Sequence, residues 1–401
     1  MDRIIFLVDM NAFFISCEMT RNPALRNRPA AVSGDPSRRS GIILAASYEA
    51  RAFGVRTTML VHQAQRLCPD LLLVPPDHVF YERKSADVMS LLSRYAPVLE
   101  QNSVDEAWLD MTGCESLFGS PLESARSMMQ AINVELGLWC SIGISYNKFL
   151  AKMASEMQKP HGITELWPSD LEAKLWPLPA AAMYGVGQKS AEKLASLGLT
   201  TIGDLARVQE DVLVGLLGKF GREISRHARG IDPDPVIPHA EDSVKSIGRS
   251  TTLAKDLTDL EEARRILLIL ADEVGRSARK HQKQGRTVHI VIKYNDFSVI
   301  TRQMTVAATC ATQEIYQAGS HLLEQNWPGG RPVRLLGISL SSFENEAADR
   351  QLSLFDQPSA TPHSDRRALV DQAMDLIRDR YGEKSVTRAK QIDPKPKGDR
   401  K

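Results

Sequence analysis

The chain has 401 residues, of which 43% are hydrophobic and 25% are charged, and its formal net charge is +1. This composition excludes a globally disordered protein, and the length suffices for two to four domains. A net charge so near zero argues neither for nor against binding to nucleic acid. Only the placement of the charges along the chain can indicate such binding.

Cysteine usage and the N-terminal residues indicate a cytosolic protein. The five cysteines are odd in number, widely spaced and without a Cys-x-x-Cys pair, which favours reduced thiols over disulfides or a zinc site. The chain enters an apolar run within its first few residues and lacks the segments of a signal peptide. No window approaches twenty apolar residues, so no membrane span is expected.

The first predicted element is a buried strand over residues 4–8 that ends at Asp9. A helix is predicted to start near Ile15, just after two aromatic residues. Phe13 is expected in the hydrophobic core. If Asp9 holds a metal, Phe14 would lie about one helical turn away, against the sugar of a bound nucleotide. Its flat ring would collide with a ribose 2′-OH and tolerate deoxyribose.

A short helix is predicted around Tyr48 and Arg51. Their spacing of three places the phenol and the guanidinium on one helix face. Together they could grip a triphosphate, with Arg51 binding its oxygens in bidentate fashion. A surface helix with a solvated arginine is the alternative.

Two acidic neighbours, Asp105 and Glu106, lie between two apolar segments that predict paired strands, residues 96–99 and 107–111. Neighbouring residues of a regular strand point to opposite faces, so the two carboxylates share one site only where the chain turns. If these strands lie beside the first one, Asp9 joins them in an oxygen-rich cluster suited to Mg²⁺ and to two-metal phosphoryl or nucleotidyl transfer. A solvated Asp-Glu turn is the alternative.

Strands alternating with helices indicate an α+β sheet domain around this hairpin. The periodicity predicts helices over residues 79–95, 121–136 and 147–155 and a strand over residues 141–145. The last helix and the turn after it carry Lys148, Lys152 and Lys159, which either reach phosphates or form a solvated face.

Four motifs occur in the chain in the order Asp9-Met10-x-x-Phe13-Phe14, Tyr48-x-x-Arg51, Ser103-Val104-Asp105-Glu106-Ala107 and Lys159-Pro160-x-Gly162. In this order and spacing they resemble those of the Y-family DNA polymerases, most closely the bacterial DNA polymerase IV (DinB-type) group. The resemblance covers about residues 1–356, and the joint occurrence of the motifs is more specific than any one of them.

The resemblance implies a metal site and a nucleotide site. Asp9, Asp105 and Glu106, assisted by the Met10 carbonyl, would bind two Mg²⁺ ions and carry catalysis. Phe14 would be the steric gate against ribonucleotides. The nucleotide-binding residues would be Phe13, Phe14, Tyr48, Arg51 and Lys159.

Two residues depart from the family pattern. Many relatives carry Asp at the position of Asn11 and Thr at the position of Ala45. The first position is outside the metal triad. The second loses a hydroxyl that could contact phosphate, which predicts weaker nucleotide binding.

A DNA-binding turn is predicted in the segment 184–194, which resembles a helix-hairpin-helix. In such a motif a Gly-x-Gly turn, here Gly185 and Gly187 followed by Lys189, exposes backbone N–H groups to a DNA phosphate. A plain helix-helix turn is the alternative. The segment 232–243 has three prolines, four acidic residues and no Lys or Arg, which predicts a semi-rigid tether between domains.

Residues 244–345 predict a compact module that the resemblance identifies as the little finger domain. Strands are expected over residues 245–252, 288–294, 301–306 and 333–340, with a helix over residues 261–284. Basic residues along the strands would form one sheet face that follows the phosphate backbone of DNA. These residues are Lys245, Arg249, Lys293 and Arg302.

The polar tail contains a short apolar motif, residues 351–355. Exposed apolar residues in such a segment are typically buried by a partner, and the string resembles the bacterial sliding-clamp-binding motif. Docking on the chain itself is the alternative. Residues 365–381 predict a helix, and residues 384–401 a disordered basic tail. The clamp-binding residues would be Gln351, Leu352, Leu354 and Phe355.

The predicted fold class is α+β, a multidomain right-hand polymerase with a palm sheet, small fingers, a helical thumb and an α/β little finger. The predicted domains are the palm (1–10 and 77–166), fingers (11–76), thumb (167–231), linker (232–243), little finger (244–345) and tail (346–401).

The resemblance implies a monomeric, template-directed DNA polymerase that adds dNMP from dNTPs to the primer 3′-OH of primer-template DNA. Every part of the chain is already assigned, which predicts no proofreading exonuclease. The short fingers, residues 11–76, predict a roomy, error-prone site that accepts damaged template bases, so the protein is expected to act in translesion synthesis. The sliding clamp (β subunit) would be its partner, and the bacterial cytoplasm and nucleoid its location. A non-catalytic accessory paralogue and a DNA-binding scaffold are the alternatives.

Overall fold

The computed structural model describes residues 3–35, 39, 41–238, 244–343 and 362–389, with the backbone alone for residues 362–368. The chain divides into two compact units, residues 1–36 with 41–239 and residues 37–40 with 240–401. Both units combine helices and sheets, which confirms the predicted α+β class. None of the described helices is long and apolar enough to cross a bilayer.

The first unit begins with alternating strands and helices. In chain order they are β1 (Ile5–Met10), α1 (Phe13–Arg21), β2 (Ala30–Ser33), β3 (Ile43–Ala46), α2 (Tyr48–Ala52), α3 (Val61–Leu67), β4 (Leu72–Val74), α4 (His78–Leu92), β5 (Val98–Gln101) and β6 (Glu106–Asp110). They continue with α5 (Glu115–Phe118), α6 (Pro121–Ala131), β7 (Cys140–Ser145), α7 (Lys148–Met157) and β8 (Ile163–Glu165).

The largest sheet of the first unit has the strand order β5-β6-β1-β7-β8. All six residues of β1 are buried, because β1 is a central strand with antiparallel neighbours β6 and β7. A strand covered on both faces is mostly apolar, as β1 is apart from Asp9 near its end. The predicted hairpin is confirmed, since β5 and β6 pair antiparallel on either side of residues 102–105. β1 therefore ends beside that turn.

Several predicted helices differ from their expected bounds; α4, for example, ends at Leu92 and not at residue 95 as predicted. α1 begins at Phe13, before the predicted start at Ile15, and Ala12 precedes it with a left-handed φ of 48°. The predicted helix 121–136 is α6 up to Ala131 and then a π-helical turn, Ile132–Leu136.

Two smaller cores complete the first unit. A three-stranded sheet of order β3-β2-β4 packs with α2 and α3 within residues 11–76, the range predicted as fingers. A helical region follows β8, within the range predicted as thumb. Its helices are α8 (Gln188–Ser196), α9 (Ile202–Arg207), α10 (Glu210–Leu217) and α11 (Lys219–Ala228).

The segment 232–243, predicted as a semi-rigid tether between domains, contacts the main sheet over its described part. Its described part has no regular secondary structure, yet Val236 is only 8% exposed and packs in an apolar cluster with β1. The Ile237 N–H donates a hydrogen bond of 2.9 Å to Glu100 Oε2. The segment is therefore fixed to the main sheet up to residue 238, and residues 239–243 lie outside the described part.

The second unit is a four-stranded antiparallel sheet of order β11-β10-β12-β9 with two helices packed on it. α13 was missed from the sequence, although Ile315, Leu322 and Leu323 have helical spacing and are buried. The elements are β9 (Ser246–Leu257), α12 (Leu260–Lys280), β10 (Gly285–Tyr294), β11 (Val299–Thr309), α13 (Thr312–Asn326) and β12 (Val333–Phe343).

The prediction that the basic residues share one face of this sheet is wrong. Arg249 pairs with the buried Ile338, and Arg302 pairs with the buried Ile290. Directly opposed residues share a face, so both arginines lie on the side of the sheet that carries the helices. Lys293 follows Ile292, whose side chain is buried against the helices. Neighbouring residues of a strand point to opposite faces, so Lys293 lies on the face away from the helices.

The face away from the helices carries mostly small and hydroxyl-bearing residues instead of a row of cations. Cross-strand pairs of this face include Gly248 with Ser339, Ser250 with Gly337, and His289 with Gln303. Lys245 precedes β9 and is exposed.

The final described element, α14 (Pro362–Tyr381), docks on α12 through ion pairs. The Arg279 guanidinium contacts Asp371 at 3.1 Å and Asp375 at 2.6 Å. The predicted helix 365–381 is thus confirmed. The predicted disordered tail is corrected for residues 384–389, where Arg388 pairs with Asp371. The predicted clamp-binding segment 351–355 lies outside the described residues.

Candidate active site

A cavity of about 460 Å³ opens at the end of β1 that faces the β5–β6 turn. It is lined by acidic, basic and aromatic side chains from distant parts of the first unit. All nine residues predicted to hold metal or nucleotide line this cavity. They are Asp9, Met10, Phe13, Phe14, Tyr48, Arg51, Asp105, Glu106 and Lys159.

Strand pairing brings the three carboxylates together. Asp9 and Glu106 are directly opposed partners in β1 and β6. The Met10 N–H donates a hydrogen bond of 2.8 Å to the Asp105 carbonyl, which ties the turn to the end of β1. Asp105 itself lies in the turn, so its side chain escapes the alternation of the strand and reaches the same cavity.

Lys152 contacts two of these carboxylates and a third one on its own helix. Its Nζ contacts Asp9 Oδ2 at 2.9 Å, Glu106 Oε2 at 2.5 Å and Glu156 Oε1 at 3.0 Å. Burial alone would lower the pKa of Lys152, but the charges of Asp9 and Glu106 raise it above its ordinary value. These contacts favour the charged form of Lys152.

The sequence suggested only a phosphate contact or a solvated position for Lys152. Its spacing of four from Glu156 on α7 was the one local signal of a carboxylate partner. The contacts with Asp9 and Glu106 depend on how α7 packs against β1, which no local pattern shows.

Lys159 also contacts the cluster. Its Nζ lies 2.8 Å from Asp9 Oδ2 and 2.8 Å from Glu156 Oε1. The lysine predicted to bind a triphosphate thus pairs with carboxylates in the protein alone, and it would have to exchange those partners for phosphate oxygens.

Asp105 is the least compensated of the three carboxylates. Burial and the nearby charge of Asp9 raise the pKa of Asp105, against the opposing effect of a 2.5 Å hydrogen bond from Ser103 Oγ. A buried carboxylate that is repelled by a second one is stabilised by an added cation.

The residues present fit a hard divalent cation. Three carboxylates around one cavity are the oxygen ligands that Mg²⁺ takes. Across the described ranges, no three Asp, Glu, His or Cys side chains are already gathered as a metal-binding group. Lysine nitrogens lie among the carboxylates here, so metal binding would require small side-chain movements.

Opposite the carboxylates, α2 presents Tyr48 and Arg51 on one face. The Arg51 guanidinium stacks 4.7 Å from the centre of the Tyr48 ring, and its Nε donates a hydrogen bond to the Ala46 carbonyl at 3.0 Å. The Tyr48 hydroxyl is buried and has no hydrogen-bond partner within the described part of the chain. A buried hydroxyl without a partner is costly, so an acceptor from a ligand would satisfy it.

The aromatic side of the cavity is formed by Phe14, whose ring stacks on Tyr81. Phe13 is 3% exposed, which confirms its predicted place in the core. Asn11 has a structural role, because its side chain donates to Ser141 Oγ at 3.0 Å and accepts from the His161 N–H at 2.9 Å.

None of the three residues predicted to contact DNA at the turn, Gly185, Gly187 and Lys189, lines the cavity. Gly185 has a φ of +90°, a conformation that favours glycine, and Gly187 is the N-cap of α8. Lys189 is exposed in the first turn of that helix.

The chain matches one family over most of its length. The profile of the impB/mucB/samB family matches residues 8–156, and that of its C-terminal domain matches residues 244–354. DNA polymerase IV of Alkaliphilus oremlandii is 54% identical, over 98% of this chain and 100% of that relative. DNA polymerase IV of Clostridium kluyveri is 54% identical, over 96% of this chain and 97% of that relative.

A solved structure shares the fold. It is a Y-family DNA polymerase chimera, Dbh-Dpo4-Dbh, and it superposes with a TM-score of 0.76 at 25% sequence identity. The match covers 85% of this chain and 99% of the chimera.

Proposed function

Because this chain belongs to the impB/mucB/samB family, as a DinB-type Y-family DNA polymerase, and is a DNA-directed DNA polymerase, we propose that it adds dNMP to a primer 3′-OH by two-metal nucleotidyl transfer. The observation that carries this proposal is the cavity at the end of β1, where three carboxylates face a phenol, a guanidinium and a lysine. Primer-template DNA and dNTPs are its substrates.

The carboxylates of Asp9, Asp105 and Glu106, with the Met10 carbonyl, would hold the metal ions. Two bound Mg²⁺ ions would supply activation of the primer hydroxyl and neutralisation of the leaving pyrophosphate. The chain itself contributes the fixed spacing of these oxygens, since β1 and β6 are paired up to Asp9 and Glu106.

Tyr48, Arg51 and Lys159 would bind the triphosphate. The buried Tyr48 hydroxyl would donate to a phosphate oxygen, which provides the acceptor that it lacks among the described residues. The cations Arg51 and Lys159 would offset the negative charge of the phosphates. Phe14 would face the sugar as the steric gate against ribonucleotides.

The same geometry supports low-fidelity translesion synthesis without proofreading. The α2–α3 region with its three-stranded sheet is small, which leaves little protein to close over a nascent base pair. From residue 3 to 238 and from 244 to 343, the described chain is used by the sheets and helices above, and no separate exonuclease domain lies among them.

Contacts with DNA and with a partner complete the proposal. Backbone N–H groups at Gly187, with Lys189, would bind a DNA phosphate at the N-terminus of α8. Exposed Lys245, Arg249 and Arg302, with Lys293 on the other sheet face, would attract the backbone from several sides of the second unit. The motif 351–355 would bind the sliding clamp. The protein would act as a monomer on the bacterial nucleoid.

A primer-extension assay tests this proposal. With Mg²⁺ and single dNTPs, the protein is expected to extend a labelled primer on an undamaged template and opposite an abasic site, without shortening the primer when dNTPs are omitted. An accurate polymerase that stops at the abasic site, or one that degrades the primer end, would contradict the translesion role or the absence of proofreading.

A further inference from the structure

The ring of Phe14 rests on a second ring that does not reach the nucleotide cavity. The centres of the Phe14 and Tyr81 rings are 4.5 Å apart, and the planes are inclined by only 14°. The His78 ring meets Phe14 edge-on at 5.8 Å. Tyr81 is 1% exposed, so it forms the floor on which Phe14 lies.

Tyr81 is held by a buried carboxylate. Its hydroxyl donates a hydrogen bond of 2.7 Å to Glu18 Oε1. Glu18 is 2% exposed and follows Phe14 by four residues on α1, so both side chains point to the same side of that helix. One helix thus carries both the ring at the cavity and the acceptor that fixes the ring beneath it.

Glu18 is fixed in turn by Arg21. The Arg21 guanidinium donates to both Glu18 oxygens, at 2.8 Å and 2.7 Å, and to Asp77 at 2.8 Å. Asp77 caps α4 by accepting a hydrogen bond of 3.1 Å from the Phe80 N–H. The chain of contacts therefore links α1 to the first turn of α4, which carries Tyr81.

The packing of α1 against α4 does not by itself require this network. Apolar residues of the same volume would pack α1 on α4 at no greater cost than a buried carboxylate. A charge-assisted bond to a tyrosine hydroxyl fixes the height and the rotation of the ring, which packing alone leaves adjustable. Positioning within about 0.5 Å is what a site needs when it discriminates between two ligands that differ by one hydroxyl.

We propose that Glu18 is a positioning residue for sugar selection, acting through Tyr81 on the ring of Phe14. Glu18 holds the Tyr81 hydroxyl, Tyr81 supports Phe14 from below, and Phe14 cannot recede to admit a ribose 2′-OH. The inference rests on the proposed role of Phe14 as the steric gate.

Two conservative variants test it, Tyr81→Phe and Glu18→Gln, with the efficiency kcat/KM measured for a dNTP and for the matching rNTP. The selectivity ratio is expected to fall roughly tenfold in Tyr81→Phe, which loses the bond and keeps the ring. A smaller fall is expected in Glu18→Gln, whose amide oxygen still accepts from Tyr81. The double variant is expected to match Tyr81→Phe, because both changes act on one interaction.

Tyr95→Phe is the matched control. Its hydroxyl contacts Ser127 at the surface, and its ring packs on Phe118, away from Phe14. This variant is expected to keep the wild-type selectivity ratio. A purely structural role of Glu18 would lower the efficiencies for both sugars equally and leave the ratio unchanged, and that result would overturn the proposal.

Phe14→Ala separates this proposal from the one on which it rests. Loss of sugar selection in Phe14→Ala, together with unchanged selection in Tyr81→Phe and Glu18→Gln, would refute the positioning role alone. Unchanged selection in Phe14→Ala would refute the steric gate and the role of Glu18 with it.

Discussion

Each of the two units contains a buried cluster in which acidic side chains pair with basic ones. The two clusters differ in how completely their carboxylates are paired. The first, proposed above to carry catalysis and here called the catalytic cluster, lies in the first unit and consists of Asp9, Asp105, Glu106, Lys152 and Lys159. The docking cluster joins α12 to α14 in the second unit and consists of Asp272, Asp371, Arg279, Arg378 and Arg388.

In the docking cluster every carboxylate has an arginine. Arg378 contacts Asp272 at 2.7 Å, and Arg388 contacts Asp272 at 3.2 Å. Burial would raise the pKa of Asp272, but these two guanidiniums keep it below its ordinary value. Planar guanidiniums fix carboxylates in one geometry, so the cluster is complete in itself.

In the catalytic cluster the partners are lysines, and one carboxylate is left over. The pKa of Asp105 is raised by burial and by Asp9, in contrast with the lowered pKa of Asp272. Ammonium groups on flexible stems can exchange partners, and the carboxylates border a cavity. A cavity alone does not distinguish the two clusters, because Arg279 and Asp371 also line one, of about 820 Å³. The comparison teaches that incomplete charge compensation marks a site, whereas a saturated cluster marks a fixed contact.

The largest stability effect is expected in the docking cluster. Asp371→Asn should lower the free energy of unfolding of the second unit by about 3 kcal/mol, because Arg279 and Arg388 would lose a buried partner. Denaturant unfolding of the full chain measures this. As a control, Asp379→Asn removes an exposed partner of Arg276 and should cost less than about 1 kcal/mol. Equal losses in the two variants would contradict the saturated character of the cluster.

A smaller effect is expected when the lysine of the catalytic cluster is removed. Lys152→Met should bind Mn²⁺ roughly tenfold more tightly in the absence of DNA and nucleotide, because Lys152 neutralises carboxylates that would otherwise attract the ion. Calorimetry measures this binding directly. Lys148→Met is the control on the same helix, since Lys148 pairs with Glu100 at 2.7 Å. Unchanged or weaker Mn²⁺ binding in Lys152→Met would show that the lysine does not compete with metal.

The smallest effect concerns Tyr48, whose hydroxyl is the one buried hydroxyl of the cavity without a hydrogen-bond partner among the described residues. Tyr48→Phe should raise the KM for dNTPs by roughly threefold to tenfold, since the hydroxyl would lose its bond to a phosphate. Thermal stability should stay the same or rise, because removing an unpaired buried hydroxyl costs the protein nothing. A lowered Tm with an unchanged KM would indicate an internal role for the hydroxyl instead.

The parts of the site that the sequence predicted depend on local patterns. Asp9 follows a buried strand, and Asp105 and Glu106 mark a hairpin turn, so strand pairing alone brings them together. Tyr48 and Arg51 share a face of α2 through their spacing of three. The relatives and the solved fold agree with the family that these motifs indicated.

Apart from α13, whose helical spacing was present in the sequence, the misses concern contacts between distant segments. The partners of Lys152 depend on how α7 packs on the sheet, and the packing of Val236 depends on a return of the chain from the helical region. The sides taken by Arg249 and Arg302 depend on strand register, which composition does not reveal. Alternation gives two faces, and only the fold decides which face the helices cover.

The measurement that tests the central claim most directly is single-nucleotide primer extension with Mg²⁺ by the wild type and by Asp105→Asn. Binding of both proteins to the same primer-template DNA serves as the control. Asp105→Asn should bind DNA like the wild type and extend at least about a thousandfold more slowly, because it loses a metal-binding oxygen and keeps the shape of the side chain. Extension by Asp105→Asn near the wild-type rate would contradict the proposed catalytic cluster. Failure of both proteins to extend a primer that they bind would favour a non-catalytic accessory factor.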